Sequence, residues 1–542
     1  MHALRSLTLA MLALATLVAC GGGESPAPAP SPAPEGGEEA VAPPSAAPLA
    51  LILSQRGDAL TLDPYDENET PTFSILSNIF DAIVDFDPDL QIAPGLATSW
   101  ERVDDLTWDF QLREGVAFHS GDAFTADDVV FSFDRAQHWE ESEAVGDILT
   151  IASVEAIDEH TVRFHTHQPD PILLRRVAQI LIMDKESTEQ AIEEHGVTWL
   201  VEHPNGTGPY RFVEWIREDH LTLEAFGGWR GTPTIERVIF RPISNDPTRL
   251  AALLAGDVHL ITDVPVRDTD RIEGQPNLRL HRRPSLRLIY LGLDCGRDES
   301  PGLPDSPPNP LRDHRVREAI HLAIDEEAIV ANTMNGFAEP AGQLVPPTVF
   351  GYNPAITRPA HNPERAMELL AEAGFPDGFR IRLDAPNNRY VNDHRIAQAI
   401  ASQLARVGIT VEVSARPKAI FFEDEELGEC SMFLIGWSNS NGDVAGTFEF
   451  LLHTPDEARG LGSANSSNNY SNPELDALIE EAARTVDEGQ RLEVLHRAMA
   501  LVMEDLPQIP LHFQVDLYAA VSELDWTPRQ DCRLRVMEMR WR

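Results

Sequence analysis

One pair of histidines has a spacing that could bind a metal ion. His165 and His167 are separated by a single residue, so on a β-strand both imidazoles would point to one face and could reach one ion. The surrounding strand pattern offers no third ligand, and two histidines alone make a weak metal site. Surface histidines are therefore the simpler interpretation, and we predict no bound metal.

Two neighbouring carboxylates, Asp127 and Asp128, could in principle serve acid–base chemistry. They follow Thr125 in the segment TADDVVFSFDRA, where a cap residue, acids in the first turn and then an apolar stripe predict the start of a helix. The chain contains no P-loop, dinucleotide-binding glycine fingerprint, GxSxG, HExxH or EF-hand motif. We therefore predict a binding protein that uses no cofactor and is not an enzyme.

Strand and helix patterns alternate along the chain, which predicts an α/β fold with parallel sheet segments. The predicted strands are 49–54, two within 100–118, 154–157, 161–165, 211–216, 221–225, 237–242, 258–261, 380–384, 409–413 and 431–435. The predicted helices are 73–84, one that starts after Thr125, 248–254, 313–331, 363–373, 392–407, 473–486 and 488–504. Pro507 and Pro510 flank Ile509 and predict an edge segment, because proline cannot donate a ladder hydrogen bond.

The charge balance argues against some partners. The chain has 43 basic and 87 acidic residues, a net charge of −44 at pH 7, which repels nucleic acid and anionic lipid head groups. Its 542 residues suggest two or three domains. The four cysteines form no CxxC pair, so zinc-ribbon and thioredoxin interpretations have no support.

The first residues have the pattern of a secretion signal. Arg5 supplies a positive charge, and the apolar run from Leu7 to Val18 is too short to span a bilayer. The segment Leu17-Val18-Ala19-Cys20 resembles the lipobox of bacterial lipoproteins, which implies that Cys20 is acylated after removal of a signal peptide, residues 1–19. Residues 20–48 are rich in Pro and Ala and predict an extended tether. We expect a protein of the bacterial periplasm or cell surface whose lipid is its only membrane contact.

Eight segments in a particular order carry a family resemblance. They are LTLDP (60–64), APGLATSW (93–100), FQLREGVAFHSGDAFTADDVVFSFDRA (110–136), GTGPYRF (206–212), RDHRVREAIHLAID (312–325), NPERAMELLAEAGFPDGF (362–379), GWSNSNGD (436–443) and LPQIPLHF (506–513). From residue 49 to its end the chain resembles extracellular solute-binding protein family 5, the oligopeptide-, dipeptide- and nickel-binding proteins of ABC importers.

The resemblance implies a two-lobed clamp like that of periplasmic binding proteins of type II, cluster C-like, with an extra inserted domain. The implied parts are a first lobe of 49–79, 206–290 and 508–542, an inserted domain of 80–205, and a second lobe of 291–507. A monomer would hold a peptide or peptide-like solute in the cleft, close by hinge motion and deliver the solute to permease subunits. The alternatives are a non-peptide solute (metal chelate, haem, oligosaccharide or another small organic molecule), a signalling receptor, a folding assistant or an enzyme.

The segment after residue 435 departs from the family pattern. Peptide-binding members carry an Asp three residues after the Trp, where it pairs with the ligand ammonium; this chain has Ser440 there. The resemblance makes this loop a candidate ligand contact, with residues Trp437, Ser438, Asn439, Ser440, Asn441 and Asp443. Asp443 is the alternative counter-charge for an amine, and Trp437 could instead be a core residue that follows the strand. Without a counter-charge, we expect a ligand whose amine is blocked, absent or bound differently.

Two further loops are candidate contacts. Glu67, Asn68 and Glu69 match the place where the family lays the ligand backbone along the protein. Asn388, Arg389 and Tyr390 follow a predicted strand, and an amide-rich loop with one Arg could orient a carboxylate or could simply be solvated. For the remaining cysteines, a Cys295–Cys430 bridge and three free thiols including Cys532 are both open.

Overall fold

The computed structural model describes residues 50–66, 69–144, 148–303, 308–439, 441–456, 459–465 and 468–542. The predicted signal peptide, the tether and Cys20 lie outside these residues, as do Glu67, Asn68 and Ser440. Within the described ranges, no helix is long and apolar enough to cross a membrane.

The strands form one large mixed sheet and several small ones. In chain order they are β1 Leu51–Gln55, β2 Val84–Phe86, β3 Ile92–Pro94, β4 Ala97–Arg102, β5 Thr107–Leu112, β6 Ile151–Asp158, β7 Thr161–Thr166, β8 Tyr210–Ile216, β9 His220–Ala225, β10 Arg237–Pro242, β11 Leu260–Ile261, β12 Leu278–Leu293, β13 Ala338–Pro340, β14 Arg380–Pro386, β15 Thr410–Arg416, β16 Met432–Ser438, β17 Gln508–Val521, β18 Leu524–Asp525 and β19 Arg540–Trp541. The large sheet has the order β15-β14-β16-β12-β17-β11-β1-β10-β9-β8, with β13 beside β17. Strand β1 is parallel to β10 and β11, and β14 is parallel to β15 and β16, which confirms the predicted parallel segments.

The α-helices pack on these sheets and agree with most of the predicted ranges. They are α1 Thr70–Ile79, α2 Ala126–His138, α3 Leu173–Val177, α4 Lys185–His195, α5 Asp246–Ala255, α6 Thr269–Glu273, α7 His314–Ala323, α8 Glu326–Asn332, α9 Pro363–Glu372, α10 Asp393–Leu404, α11 Lys418–Glu426, α12 Val444–Leu451, α13 Pro473–Arg484 and α14 Glu488–Asp505. The single helix predicted for 313–331 is wrong. Two helices replace it, because the backbone turns extended at Ile324, and Asp325 caps the second helix by accepting the N–H of Ala328 at 2.9 Å.

The centre of the large sheet is a long antiparallel pair that the sequence patterns missed. Strand β12 pairs with β17 from Leu278 opposite Val521 to Gly292 opposite Gln508. The predicted edge position of Pro510 is therefore wrong. This proline lies in an interior strand at a register shift, where an irregular ladder tolerates a residue without an N–H.

A smaller antiparallel sheet, β4-β5-β7-β6, contains the two histidines considered for metal binding. His165 lies in β7 with its Nε2 3.2 Å from Glu155, whereas His167 lies beyond the end of that strand. The alternation that would align the two rings therefore stops between them. The three cysteines of the described chain, Cys295, Cys430 and Cys532, are free thiols.

Candidate ligand-binding site

Trp437 lies inside strand β16 rather than after its end. It pairs with Leu288 of β12. The indole is half-buried with its centroid 6.1 Å from that of Phe450, and its Nε1 has no hydrogen-bond partner among the described residues. The exposed part of the ring is suited to apolar contact with a ligand, whereas the unused donor is buried.

Tyr390 packs against the backbone of the same strand. Its Oη donates a hydrogen bond to the carbonyl of Gly436 at 3.2 Å, and a Cβ at position 436 would lie 2.8 Å from Tyr390 Cε1. Glycine therefore permits this close approach. Asp393 fixes the loop by accepting the backbone N–H groups of Arg389 at 3.0 Å and of Tyr390 at 3.1 Å.

Two guanidinium groups lie against the ring of Tyr390. The Cζ of Arg389 is 5.5 Å and the Cζ of Arg287 is 6.0 Å from the ring centroid, which is within the range of cation–π attraction. Burial lowers the pKa of Arg389, and the nearby charge of Arg287 lowers it further. Arg287 was not among the contacts predicted from the sequence. The available signal was an arginine within a mainly apolar stretch, SLRLIYLGL.

The alternation of side chains along β16 separates this group from Trp437. Successive residues point to opposite faces of a sheet, so Gly436 and Ser438 share the face covered by Tyr390, while Trp437 points to the other. Arg287 pairs with Ser438 and shares its face. The structure therefore brings Tyr390, Ser438 and Arg287 together and leaves Trp437 as a separate candidate contact.

Asn388 and Glu69 both contact Lys418, the first residue of α11. The side-chain oxygen of Asn388 accepts the Lys418 N–H at 2.8 Å, and Lys418 Nζ lies 3.2 Å from Glu69 Oε1. The ion pair joins stretches predicted to belong to different lobes. Since both side chains are substantially exposed, it contributes at most about 1 kcal/mol to stability.

The loop after β16 is held by its own amides and by a neighbouring arginine. Asn439 is buried, and its Nδ2 donates to the carbonyl of Asp443 at 2.6 Å and to Thr447 Oγ1 at 3.1 Å. The side-chain oxygen of Asn441 accepts the Asp443 N–H at 3.1 Å. The backbone carbonyl of Asn441 accepts a hydrogen bond from the Arg175 guanidinium at 2.6 Å. The amides that were candidate ligand contacts therefore shape this loop.

The carboxylate of Asp443 is already paired. Arg491 donates two hydrogen bonds to it, at 2.7 and 2.8 Å, and both side chains are buried. Asp443 Oδ1 also accepts the N–H of Ala445 and caps α12. This arrangement argues against Asp443 as the counter-charge for a ligand amine, the alternative left open by the sequence.

The acidic pair at the start of α2 has a structural explanation. Asp128 accepts the N–H of Thr125 at 2.7 Å, in a capping box, and the N–H of Lys185 at 3.0 Å, while Asp184 caps α4. Burial raises the pKa of Asp128 to about 6. Asp128, Asp184 and Glu186 form a carboxylate cluster, but its two buried members are used as helix caps, and Asp184 also accepts hydrogen bonds from Ser120 and Asn205.

A family model described as "Bacterial extracellular solute-binding proteins, family 5 Middle" matches residues 91–458. The chain belongs to this family. It is 27% identical to the glutathione-binding protein GsiB of Salmonella typhi over 86% of this chain and 90% of that protein. The corresponding protein of Escherichia coli O1:K1 is 28% identical over 85% and 88%.

Solved structures confirm the predicted α/β clamp. The periplasmic binding protein DppA of Helicobacter pylori, in complex with the peptide STSA, has a TM-score of 0.79 and 25% identity, covering 91% of this chain and 98% of its own. HbpA2 of Haemophilus parasuis has a TM-score of 0.76 and 26% identity, covering 91% and 100%. The lobe boundaries and the ligand contacts stay predictions.

Proposed function

We propose that this family 5 protein binds a peptide-like solute in a cleft between two lobes and delivers it to the permease of an ABC importer. The supporting observation is the placement of Arg389 and Arg287 against Tyr390 on one face of the sheet. A planar guanidinium binds a carboxylate through two parallel hydrogen bonds, and the aromatic ring offers apolar contact area. Relatives named for glutathione and a structure solved with a peptide support a ligand of this class.

Thermal unfolding in the presence of small peptides tests the proposal. A ligand at 100 times its Kd stabilises the folded state by about 2.7 kcal/mol. We expect N-acetyl-alanyl-alanine to stabilise the protein more than its C-terminal amide does, and Arg389→Gln to abolish the difference. Arg365→Gln, which changes an exposed side chain of α9, is the matched control. No stabilisation by these peptides, by glutathione or by a wider dipeptide set would contradict a peptide-like ligand, and turnover of any of them would favour an enzyme.

Delivery to a permease requires that the loaded and empty forms differ in shape. We propose that the lobes close on the solute about the segments that cross between them, including the long pair β12 and β17. Small-angle scattering with and without a saturating ligand measures this change. An unchanged radius of gyration at saturation would rule out closure.

We also propose that acyl chains on Cys20 anchor the protein to a bacterial membrane, in the periplasm or at the cell surface. The support is the sequence alone, in which an apolar signal ends in LVAC and a Pro/Ala-rich stretch follows. Cys20→Ser should release the protein into the soluble fraction of its host, whereas Cys295→Ser should not. A Cys20→Ser variant that still sediments with membranes after a high-salt wash would contradict lipid anchoring.

A further inference from the structure

Arg287 and Arg389 together carry more positive charge than one ligand carboxylate would match. Both guanidiniums lie within about 6 Å of the same ring, Tyr390, at 6.0 and 5.5 Å. The hydrogen bonds that these two arginines donate within the described chain come from their backbone N–H groups. Two like charges in a half-buried place repel each other, and the charge of Arg287 adds to burial, the main cause, in lowering the pKa of Arg389.

The nearest acidic side chains are engaged with other donors. Asp393 accepts three backbone N–H groups of its own loop. Asp516 accepts a hydrogen bond from Cys532 Sγ at 2.8 Å and interacts with Arg287 through charge. Glu69 pairs with Lys418 and acts on Arg389 through charge. These contacts leave the two guanidiniums without a hydrogen-bonded carboxylate.

Asp263 is the remaining acid close enough to affect Arg389 electrostatically. Its carboxylate accepts a hydrogen bond from Thr262 Oγ1 at 2.6 Å, and its charge also acts on Arg56. Asp263 therefore offsets part of the local charge but forms no ion pair with either member of the arginine pair among the described residues. The acceptors for the two guanidinium groups therefore come from outside the described chain, from solvent or from a ligand.

We propose that Arg287 and Arg389 bind two carboxylates of one solute, so that the site selects peptide-like diacids. This inference rests on the proposed function. One carboxylate has two oxygens and satisfies one guanidinium fork, which would leave the other fork unpaired in a half-buried position. We assign the terminal carboxylate to Arg389, which lies in the loop that Asp393 fixes, and the second carboxylate to Arg287. The Tyr390 hydroxyl already donates to Gly436 and is not needed as a ligand donor.

Calorimetry with two matched peptides tests the assignment. N-acetyl-alanyl-glutamate carries two carboxylates, and N-acetyl-alanyl-glutamine is nearly isosteric with one. We expect the unmodified protein to bind the diacid roughly ten- to hundredfold more tightly, the range of a charge-assisted hydrogen-bonded pair. Arg287→Gln should abolish that preference, so that the two affinities become about equal. The affinity for the glutamine peptide should change little. Arg282→Gln, on the same strand and ion-paired to Glu273, should keep the preference.

The outcomes separate this inference from the proposed function. Equal affinity of the unmodified protein for both peptides overturns the diacid assignment but leaves peptide binding intact. A preference that persists in Arg287→Gln places the second carboxylate elsewhere, and equal losses for both peptides indicate one shared carboxylate; each overturns the assignment. If neither peptide binds, the diacid assignment fails, and the proposed function fails too only if glutathione and the wider dipeptide set also give no stabilisation. Circular dichroism and thermal unfolding of each variant establish that it is folded.

Discussion

The buried pair of Asp443 and Arg491 provides the sharpest test of how the loop after β16 is built. The two side chains form a bidentate ion pair at 2.7 and 2.8 Å. Asp443→Asn removes the negative charge and leaves the guanidinium buried without a counter-charge, which typically reduces the free energy of unfolding by about 3–5 kcal/mol. Asparagine is as good a helix cap as aspartate, so the cap of α12 should survive and the loss should report the ion pair.

Urea unfolding followed by tryptophan fluorescence measures this loss. The double variant Asp443→Asn, Arg491→Met removes the isolated charge and fills a similar volume with apolar atoms. We expect it to recover more than half of the lost stability, because replacing a buried ion pair by apolar groups is often neutral or stabilising. Comparison of both single variants with the double variant gives the interaction energy directly.

Ligand binding by the same variants distinguishes a structural acid from a ligand contact. Because Arg491 occupies the carboxylate, the ratio of affinities for a free and an N-acetylated peptide of one sequence should be the same in Asp443→Asn as in the unmodified protein. A preference for the free amine that disappears in Asp443→Asn would refute this reasoning. An Asp443→Asn variant that is as stable as the parent protein would refute it as well.

Three further predictions concern other parts of the molecule. Trp437→Ala should weaken ligand binding by roughly 2 kcal/mol or more while preserving the fold; equal affinity by calorimetry would make the indole a packing partner of the core. Burial, with a smaller effect of Arg358, lowers the pKa of His321 to about 3. The unfolded state therefore binds a proton that the folded state does not, and the free energy of unfolding falls by about 4 kcal/mol at most as pH decreases from about 6.5 to 3. In unfolding measured against pH, His321→Gln should reduce this loss. Burial raises the pKa of Cys295 and Cys430 to about 12, so we expect little alkylation before unfolding and no disulfide in non-reducing peptide maps, where any bridge would contradict the free thiols.

Local signals in the sequence predicted local structure well. Thr125 and Asp128 satisfy each other across one turn, so their spacing is sufficient to place the start of α2. The two strands on either side of the turn at Asp158 could be predicted from alternating apolar residues and the turn residues alone. The division of 313–331 was missed because Asp325 continues an acidic, helix-compatible stretch, and its capping contact is visible only in three dimensions.

The arrangement of the candidate site depends on pairings that sequence spacing does not encode. Arg287 reaches Tyr390 because β12 pairs with β16, segments about 150 residues apart, in a register that places Arg287 opposite Ser438. Asp443 meets Arg491 across 48 residues. The sequence could identify an arginine-bearing loop and a departure at position 440, but it could not tell which carboxylates were already occupied.

The pairing of Asp443 with Arg491 affects which charge a solute can carry at this loop. The loop after β16 is flanked by Arg175 and Arg491, its one acid is paired, and residue 440 is a serine. An ammonium brought there would lose its hydration without gaining a carboxylate, a cost of several kcal/mol. Two carboxylates brought to Arg287 and Arg389 would instead each gain one donor fork. The net charge of −44 does not oppose this, because salt screens exposed charges beyond about 8 Å, whereas the guanidiniums act at contact distance. An acidic solute with a blocked amine therefore fits both ends of the site.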